Sequence, residues 1–485
     1  MVSTGVENAI LNGIVTGSFI ALGAIGLSLV YNIAGVPNFA HGELLMIGAY
    51  IGIVVNTPAE VPLLGQLASD GTQITNGVMA VLFLMTAVAA IGTVTLMGGR
   101  SALKGEWWPV DPPVPAVAVA VHVLAAIGLG VVVVSLAPSI WAGFILGGLF
   151  LAFIGPLFDR YIFSKFREEG AALATILMAT MGLAFVLRFT VQAFFGGTVR
   201  TYNIDQTINL LGYAIDLSQA KFIDVFVTGD GVVLQIINTA TDPNTTQFVG
   251  AYAWPIVAGI VVATLVVGYG TYRWRGAGIG EHEAAQTIGP RIVGTVAGAV
   301  TFLVLLVLLP ASTSSPGAAA AAYASRIRTS IIRMSVIILA LVLMGGLHVV
   351  LRETKLGKAM RAASDNLDLA KVTGIDTNRV MMVTWIIAGG FAAIAGIVIG
   401  ILFFQIVPSM GFFRLLPIFA AVILGGLASV YGAMVGAFAV GIAMEVGFFG
   451  ANQFIQLSGT HRVSLAFVLL LIVLLIKPEG LIGGK

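Results

Sequence analysis

Long apolar stretches recur along the whole chain, and they constrain its fold more than any other feature of the sequence. A helix that crosses the hydrocarbon core of a bilayer needs about 20 mostly apolar residues, and stretches of this kind alternate here with short polar segments. Hydrophobic residues make up 58% of the 485 and charged residues 9%, whereas soluble domains carry about 25% charged residues. The sequence therefore predicts an all-α, polytopic transmembrane helical bundle of about 11–13 spans.

The predicted spans follow these apolar runs. Two of them, 415–428 and 431–450, are short or interrupted by glycine, so they are either two spans or a re-entrant pair that lines a cavity. The full set of predicted spans is 9–33, 38–56, 77–98, 114–136, 139–159, 172–195, 249–271, 290–310, 329–351, 380–404, 415–428, 431–450 and 463–477.

Composition excludes several other classes of protein. The chain has no cysteine, which excludes disulfides and thiolate metal sites. The net charge of +2 gives no indication of a nucleic-acid partner, and the five histidines form no metal-binding pattern. Residues 1–12 contain no Lys or Arg, so they lack the charged start of a cleaved signal peptide, and we expect the first apolar run to be retained as a span.

The distribution of Lys and Arg predicts the orientation in the membrane. If the loop 352–379 is cytoplasmic, alternation places four more segments on the same side. Together these segments hold 16 of the 24 basic residues. Arg326, Arg328 and Arg333 fall on the opposite side, which one miscounted helix upstream would explain. The four other cytoplasmic segments are 99–113, 160–171, 272–291 and 477–485.

The densest run of charge, 351–379, separates two nearly uncharged runs. Ser364 and Asp365 can begin a short helix there, because a side-chain oxygen accepts from the free N–H groups of a first turn. Gly374 is a natural stop, since it tolerates a left-handed conformation. This amphipathic segment is either a solvated loop at the headgroups or a docking helix for a cytoplasmic partner. Its shared face consists of Leu367, Ala370, Lys371 and Gly374, with i, i+3, i+4 and i+7 spacing.

A second polar segment, 36–43, lies between the first two apolar runs. Asn38, His41 and Glu43 bring three polar side chains to the entrance of a membrane segment, next to Gly42. Ionisable groups in spans are costly and face a cavity or a partner by default. The alternative interpretation is an interfacial helix start whose polar end stays wet.

A third segment, 424–436, is rich in glycine. Gly432 and Gly436 form a small-xxx-small pair, as do three other pairs, and such pairs indicate close helix packing. Glu445 lies inside an apolar run, where it either faces a translocation path or is an interfacial or inter-helix polar group. The candidate residues for a path or for packing in this region are Gly425, Gly426, Gly432, Gly436 and Glu445.

Motifs of several enzyme classes are absent from the sequence. No Gly-x-x-x-x-Gly-Lys-[Ser/Thr] phosphate loop occurs, so the chain is not expected to bind or hydrolyse ATP by that route. No Gly-x-Ser-x-Gly nucleophile elbow and no His-Glu-x-x-His zinc pair occurs either. We therefore expect a protein that is not an enzyme, with no catalytic residue, no metal and no cofactor of its own.

The three segments together resemble the permease subunits of branched-chain amino-acid ABC importers. Asn38–Glu43, NFAHGE, is similar to the signature of one of the two paired permease types. The segment 357–379, with GIDTNR, is similar to that family's cytoplasmic loop. Asp368-Leu369-Ala370 with Gly374 resembles the Glu-Ala-Ala…Gly loop of many ABC importers. The glycine-rich block and the closing Lys477–Leu481 are similar to the family's C-terminal part.

The resemblance is discontinuous, and it predicts five segments. Its core parts are 8–56, 139–202 and 326–485, the last with the coupling loop 352–379. Between them lie two insertions, one of loops and helices and one of an outer loop with two apolar helices. These insertions are 57–138 and 203–325.

The resemblance implies a division of labour. It implies a second permease subunit, two cytoplasmic ABC ATPase subunits that use the ATP, and an extracytoplasmic solute-binding protein, all around a chain in the plasma membrane of a prokaryote. It implies that the ATPases dock on the helix 364–374, and that branched-chain or related hydrophobic amino acids cross. The residues implied in coupling are Ser364, Leu367, Asp368, Ala370, Lys371 and Gly374.

Three alternatives stay open on sequence grounds. A permease of the same family can carry urea or short amides, because the binding protein usually sets selectivity. An ion-coupled secondary transporter would work without an ATPase, although we find no convincing internal repeat. A membrane scaffold would recruit a cytoplasmic protein through 352–379 without any flux.

Overall fold

The structure is a computed structural model of the chain. It describes residues 5–35, 37–67, 74–103, 115–204, 207–210, 213–216, 221–227, 231–238, 245–277, 325–427, 429–476 and 480–481, with a few more at 294, 297–298, 301–302 and 305.

Helices dominate these residues, as predicted. Nine of them are long and apolar enough to cross a membrane, and three shorter apolar ones, of 10–17 residues, accompany them within the described ranges. The predicted span 290–310 lies largely outside the described residues. The helices are α1 Val6–Ala34, α2 His41–Asn56, α3 Asn76–Leu103, α4 Pro115–Leu136, α5 Ile140–Phe158, α6 Ser164–Glu168, α7 Leu173–Phe195, α8 Trp254–Ala277, α9 Ile331–Glu353, α10 Lys355–Asp365, α11 Leu367–Val372, α12 Thr377–Phe403, α13 Met410–Gly425, α14 Val430–Asn452 and α15 Arg462–Ile476.

Contacts divide the chain into two compact units. The helix unit comprises Asn12–Tyr213 and Ala362–Lys485, and the sheet unit comprises Met1–Leu11 and Ala214–Arg361. This division does not test the five segments predicted from the sequence, and they stay a prediction.

Glycines set the spacing of the helices in the helix unit. A Cβ on Gly48 of α2 would lie 2.7 Å from the carbonyl oxygen of Ala393 in α12, and a Cβ on Gly396 of α12 would collide with the backbone of Leu45 in α2. Backbones can approach this closely only where side chains are small. The van der Waals contact that results drives helix pairing in lipid, where the hydrophobic effect does not. Gly48 and Gly396 therefore pack helices as their spacing indicates, whereas their partners Gly52 and Gly400 make room for the Tyr202 side chain.

Close contacts at glycine also join an early helix, α1, to a late helix, α14. A Cβ on Gly17 of α1 would lie 2.8 Å from Phe438 Cα in α14, and one on Gly441 of α14 would meet the backbone of Gly13 and Gly17. As a result, 94% of the residues in the most apolar stretch of α1 are buried, so α1 is a central helix of the bundle.

The sheet unit contains an antiparallel sheet that the sequence analysis did not predict. Its strand order is β5-β4-β3-β6, and the segment was interpreted as a polar outer loop leading into apolar helices. The predicted span 249–271 also began too early, because its first residues belong to β5 and the helix starts at Trp254. The strands of the chain are β1 Thr207–Leu210, β2 Tyr213–Asp216, β3 Lys221–Val227, β4 Gly231–Asn238, β5 Thr245–Ala253 and β6 Ser325–Ser330.

This sheet explains two of the three arginines that disagreed with the predicted orientation, whereas Arg333 lies in the first turn of α9. Arg326 and Arg328 lie on β6, and Arg328 Nε donates to Asp224 Oδ1 of the neighbouring strand β3 at 3.0 Å. The rule that relates positive charge to orientation applies to short loops near span ends. Basic residues inside a folded sheet do not follow it, so these arginines need no miscounted helix.

Candidate functional site

The short helix α11 lies between two longer helices in the most charged part of the chain. Its N-cap is Asn366, whose Oδ1 accepts from Leu369 N at 2.9 Å. The prediction that Ser364 and Asp365 begin this helix is wrong, because both lie in the last turn of α10. An Asn in extended conformation is as good a cap as Ser, and the extended backbone of Asn366 ends α10 before α11 begins.

Gly374 ends α11 as predicted. Its φ of +86° lies in the left-handed region, which L-residues other than Asn and Asp avoid. The turn is closed by Ile375 N, which donates to the carbonyl oxygen of Ala370 at 3.0 Å. Both ends of α11 are therefore capped, and this stabilises a helix too short to form on its own.

The two faces of α11 differ from the face predicted by spacing. Ala370 is buried and Leu367 half-buried, whereas Asp368 and Lys371 are exposed. Gly374 is also exposed, and Ser364 is half-buried. The sequence analysis missed two exposed apolar side chains, Leu369 at 60% and Val372 at 85% exposure. Their i, i+3 spacing in a polar loop is the signal that would have identified them.

The ends of the neighbouring helices hold α11 in place. Asp376 accepts from Arg379 N at 3.0 Å and caps α12 two residues after Gly374. On the other side, Ser364 Oγ donates to Asn32 Oδ1 at 2.6 Å, which joins the end of α10 to the end of α1. The helix α11 is thus connected to α12 and, through the end of α10, to α1 by short segments that are held by hydrogen bonds.

The polar segment before α2 lies inside the helix unit. Asn38, His41 and Glu43 are each no more than 2% exposed, so the interpretation of an interfacial helix start with a wet polar end is wrong. His41 Nε2 donates to the carbonyl oxygen of Gly23 in α1 at 2.9 Å. Asn38 Oδ1 accepts from Ala40 N at 3.0 Å.

Glu43 pairs with an arginine that the sequence analysis left out of the site. Arg188 of α7 donates to Glu43 Oε1 from Nε at 3.1 Å and also from a terminal nitrogen. The guanidinium lies 5.7 Å from the ring centre of Phe185 and 5.1 Å from that of Phe412. A buried charge needs such a partner, and the two rings add cation–π attraction.

Two short helices meet at this polar segment. Both α2 and α13 have 16 residues, or about 24 Å of helix, against about 30 Å of hydrocarbon. A Cβ on Gly42, in the first turn of α2, would lie 2.6 Å from the carbonyl oxygen of Gly411, in the first turn of α13. Since both N-termini meet within the bundle, the motif lies deep in the helix unit and not at its entrance.

The glycine-rich segment forms two packed helices. α13 and α14 are joined by 426–429, and a Cβ on Gly436 of α14 would lie 2.9 Å from Gly425 N of α13. Gly425 and Gly432 are likewise in backbone contact. Gly426 is the C-cap of α13. These glycines pack helices against each other, which was one of their two predicted roles.

Glu445 links helices. Thr16 Oγ1 of α1 donates to Glu445 Oε1 at 3.2 Å, and Arg462 at the start of α15 lies 3.6 Å from the same oxygen. The Arg462 guanidinium also stacks 4.6 Å from the Phe448 ring centre. Of the two predicted roles for Glu445, the structure favours the contact between helices.

Within the described part of the chain, no group of three or more His, Asp or Glu side chains is placed to hold a metal ion. The polar groups described above bind to one another, to backbone atoms or to aromatic rings. Their arrangement builds an anchored surface helix and a buried polar junction, and neither has the geometry of a nucleophile activated by a base.

Comparison with known proteins assigns a family. The family model described as "Branched-chain amino acid transport system / permease component" matches residues 9–100 and 214–476, which is more than half of the chain. No solved structure gives a significant match.

Among curated relatives, the high-affinity branched-chain amino acid transport system permease protein BraD of Pseudomonas aeruginosa is 32% identical over 154 residues, which are 32% of this chain and 48% of that protein. The permease protein LivH of Salmonella typhimurium is 34% identical over 137 residues, 28% of this chain and 42% of that protein. A probable LivH of Methanocaldococcus jannaschii is 41% identical over 90 residues, 18% of this chain and 27% of that protein. The chain thus spans about half the length of the curated relatives it matches, or less.

Taken with the apolar helices and the extent of the family match, these findings show that the chain is a multi-pass protein of the plasma membrane and belongs to the family of branched-chain amino acid transport system permease components.

Proposed function

We propose that the chain is the membrane-spanning permease subunit of an ATP-driven importer. Its substrates are branched-chain or related hydrophobic amino acids, which an extracytoplasmic solute-binding protein delivers. Membership of the family and the names of the relatives support this substrate class. The chain itself binds no cofactor in this proposal. Two ABC ATPase subunits use the ATP, and a second permease subunit completes the path through the bilayer.

The observation that carries the proposal is the geometry of α11. This helix is capped at both ends, and it presents Asp368, Leu369, Lys371 and Val372 outward. An exposed apolar pair flanked by two charges is suited to the cleft of a partner protein, where apolar anchors supply most of the binding energy and charges set the orientation.

The links of α11 suggest how ATP drives movement. Closure of two ATPase subunits would push on α11, and its neighbours α12 and α10 would receive the displacement through the caps at Asp376 and Asn366. The Ser364–Asn32 hydrogen bond would pass it on to α1. Because α1 and α12 are central helices with closely packed backbones, they would move as rigid bodies between inward-open and outward-open arrangements.

Co-purification with ABC ATPase subunits from the same genome tests the docking surface. We expect Asp368→Arg and Val372→Arg to abolish co-purification, because one reverses a charge and the other puts a charge on the apolar anchor. Glu169→Arg is the matched control, since Glu169 is an exposed acidic residue on another segment predicted to be cytoplasmic. If both α11 variants retain the ATPase as well as the wild type and the control do, the docking assignment is wrong.

Transport by the reconstituted complex tests the substrate and the energy source. We expect leucine uptake into proteoliposomes to require ATP together with the binding protein. Uptake of urea or a short amide in place of leucine would change the substrate assignment. Leucine uptake driven by an ion gradient without ATP would identify a secondary transporter and overturn the proposal.

A further inference from the structure

Three exposed apolar side chains lie on loops at one end of the helix unit. They are Leu63 at 66%, Val199 at 59% and Phe404 at 38% exposure. Phe404 directly follows α12, and the 27 residues of α12 separate it from α11, so these loops lie at the end of the unit away from α11. The loops, which we call the loop platform, are 58–67, 196–204 and 404–407.

Arg200 holds the three loops together. Its backbone exchanges two hydrogen bonds with that of Ile406, at 3.0 and 2.9 Å. Its guanidinium donates to the carbonyl oxygen of Glu60. Each of the three apolar side chains lies within three residues of one of these contacts, and three residues span at most about 11 Å of chain. The apolar side chains therefore lie close together.

Hydrogen bonds also fix the loop platform to the end of α2. Asn56, the last residue of α2, exchanges two hydrogen bonds with Asn203, at 2.9 and 2.7 Å. Tyr202 is buried, and its hydroxyl donates to the carbonyl oxygen of Ala49 in α2 at 2.7 Å. The loop 196–204 cannot be displaced without breaking these bonds. A surface that is fixed before contact loses little freedom when a partner binds.

Two of the three apolar side chains lie on strained backbone. In the described part of the chain, Leu63 with φ of +71° and Phe404 with φ of +52° are the residues other than glycine that have a left-handed conformation. Bulky L-residues avoid this conformation, and glycine adopts it without strain. Strain of this kind persists where surrounding contacts impose it, and it is concentrated at binding and switch regions. It points to a role for these two side chains in contact with another molecule.

The other molecule must approach from water. The side chain of Glu60, three residues before Leu63, is 49% exposed. A charged group in hydrocarbon is costly, so this surface lies outside the bilayer core. Glu60 Oε2 lies 3.5 Å from a terminal nitrogen of Arg200, and the carboxylate has further lone pairs for a donor of the partner. Apolar anchors beside a partly free charge match the centre and the rim of a protein–protein interface.

We propose that the loop platform docks the extracytoplasmic solute-binding protein, with Leu63, Val199 and Phe404 as the apolar anchors. This partner is a soluble protein that reaches the side of the membrane opposite to the ATPases, and the position of the platform away from α11 requires such an approach. The identity of the partner rests on the proposed function. The docking surface itself rests on the exposure and strain of its side chains, so the two can fail separately.

Cysteine labelling tests whether the loop platform is open to water and becomes covered. The chain has no cysteine of its own, so Val199→Cys and Phe404→Cys each supply a single thiol for a membrane-impermeant maleimide. With the full chain in nanodiscs, we expect both variants to be labelled. A purified solute-binding protein from the same genome, added at ten times its Kd, should slow this labelling about tenfold.

Phe454→Cys is the matched control, because Phe454 is 90% exposed on the loop that follows α14 and lies outside the loop platform. Its labelling rate should not change when the solute-binding protein is added. Equal slowing in all three variants would overturn the assignment to the platform. Failure of both platform variants to be labelled without the solute-binding protein would also overturn it, since lipid headgroups or the sheet unit of the same chain would then cover the surface.

Leu63→Gly separates docking from folding. Glycine removes the apolar anchor and relieves the left-handed strain. We expect the Kd for the solute-binding protein to rise about tenfold, while the melting temperature of the detergent-solubilised protein does not fall. A lower melting temperature with wild-type affinity would show that Leu63 has a structural role only, and would refute the docking surface alone. Docking through the platform without ATP-driven leucine uptake would refute the proposed function alone.

Discussion

At the scale of single residues, the buried carboxylate of Glu43 is neutralised by Arg188, 145 positions further along the chain. Removing one member of a buried ion pair leaves an unpaired charge, which typically costs about 3–5 kcal/mol, whereas replacing both by uncharged groups costs much less. Glu43 is 1% exposed, so we expect this pair to follow that pattern. Its contribution is therefore to fix α7 against α2 more than to add net stability.

We predict that Arg188→Met alone lowers the thermal stability of the detergent-solubilised protein strongly, and that adding Glu43→Gln restores part of the loss. The physical reason is that the double variant has no uncompensated buried charge. Fluorescence-detected size-exclusion chromatography after heating measures both. A double variant that is less stable than Arg188→Met would show that the two residues act independently.

The sequence could identify the polar residues before α2, but it could not identify their partner Arg188. Asn38, His41 and Glu43 stand out because polar residues before an apolar run are locally visible. Arg188 lies in an apolar run of its own, and no local pattern says which distant helix it faces. Arg462, the partner of Glu445, was missed for the same reason, since its position at a span end indicates a headgroup contact equally well.

At the scale of elements, the turn between α11 and α12 depends on the backbone conformation of one residue. The φ of +86° at Gly374 costs an ordinary L-residue about 1–2 kcal/mol, whereas Asn tolerates it better. We predict that Gly374→Ala speeds amide hydrogen exchange in 366–376 several-fold and that Gly374→Asn has a smaller effect. Exchange in α2 and α12 should stay unchanged in both variants. Equal exchange in the Ala and Asn variants would show that the left-handed conformation does not limit the stability of this turn.

The limits of the helices could be read from the sequence, because each apolar run must satisfy its own backbone in lipid. The predicted 139–159, 172–195 and 380–404 agree with α5, α7 and α12 within three residues. The sheet was missed, although residues 221–238 carry two runs rich in Val, Ile and Phe on either side of the sequence Thr-Gly-Asp. The surrounding Asn, Thr and Asp residues obscured this hairpin signal. The start of α2 was placed at the surface, since spacing alone does not reveal that a short helix begins inside a bundle.

At the scale of the molecule, the helix unit is closed by contact between an early helix and a late one. Gly441 of α14 faces the backbone of Gly13 and Gly17 in α1, so a side chain there meets main-chain atoms that cannot move without shifting a whole helix. Overpacking of this kind costs about 1–3 kcal/mol or more. The arrangement ties α1 to residues more than 400 positions away in the chain.

We therefore predict that Gly441→Leu lowers the melting temperature of the detergent-solubilised protein by several degrees and reduces its monodisperse yield. Gly450→Leu is the matched control, because Gly450 lies on the same helix α14 with open space around its Cα hydrogen. Both variants gain the same apolar side chain and the same helix propensity, so a difference between them reports the α1–α14 contact alone. If both variants melt with the wild type, α1 and α14 can separate at little cost. Closure of the bundle would then have to rest on the Thr16–Glu445–Arg462 contacts, which Glu445→Gln would weaken in the same assay.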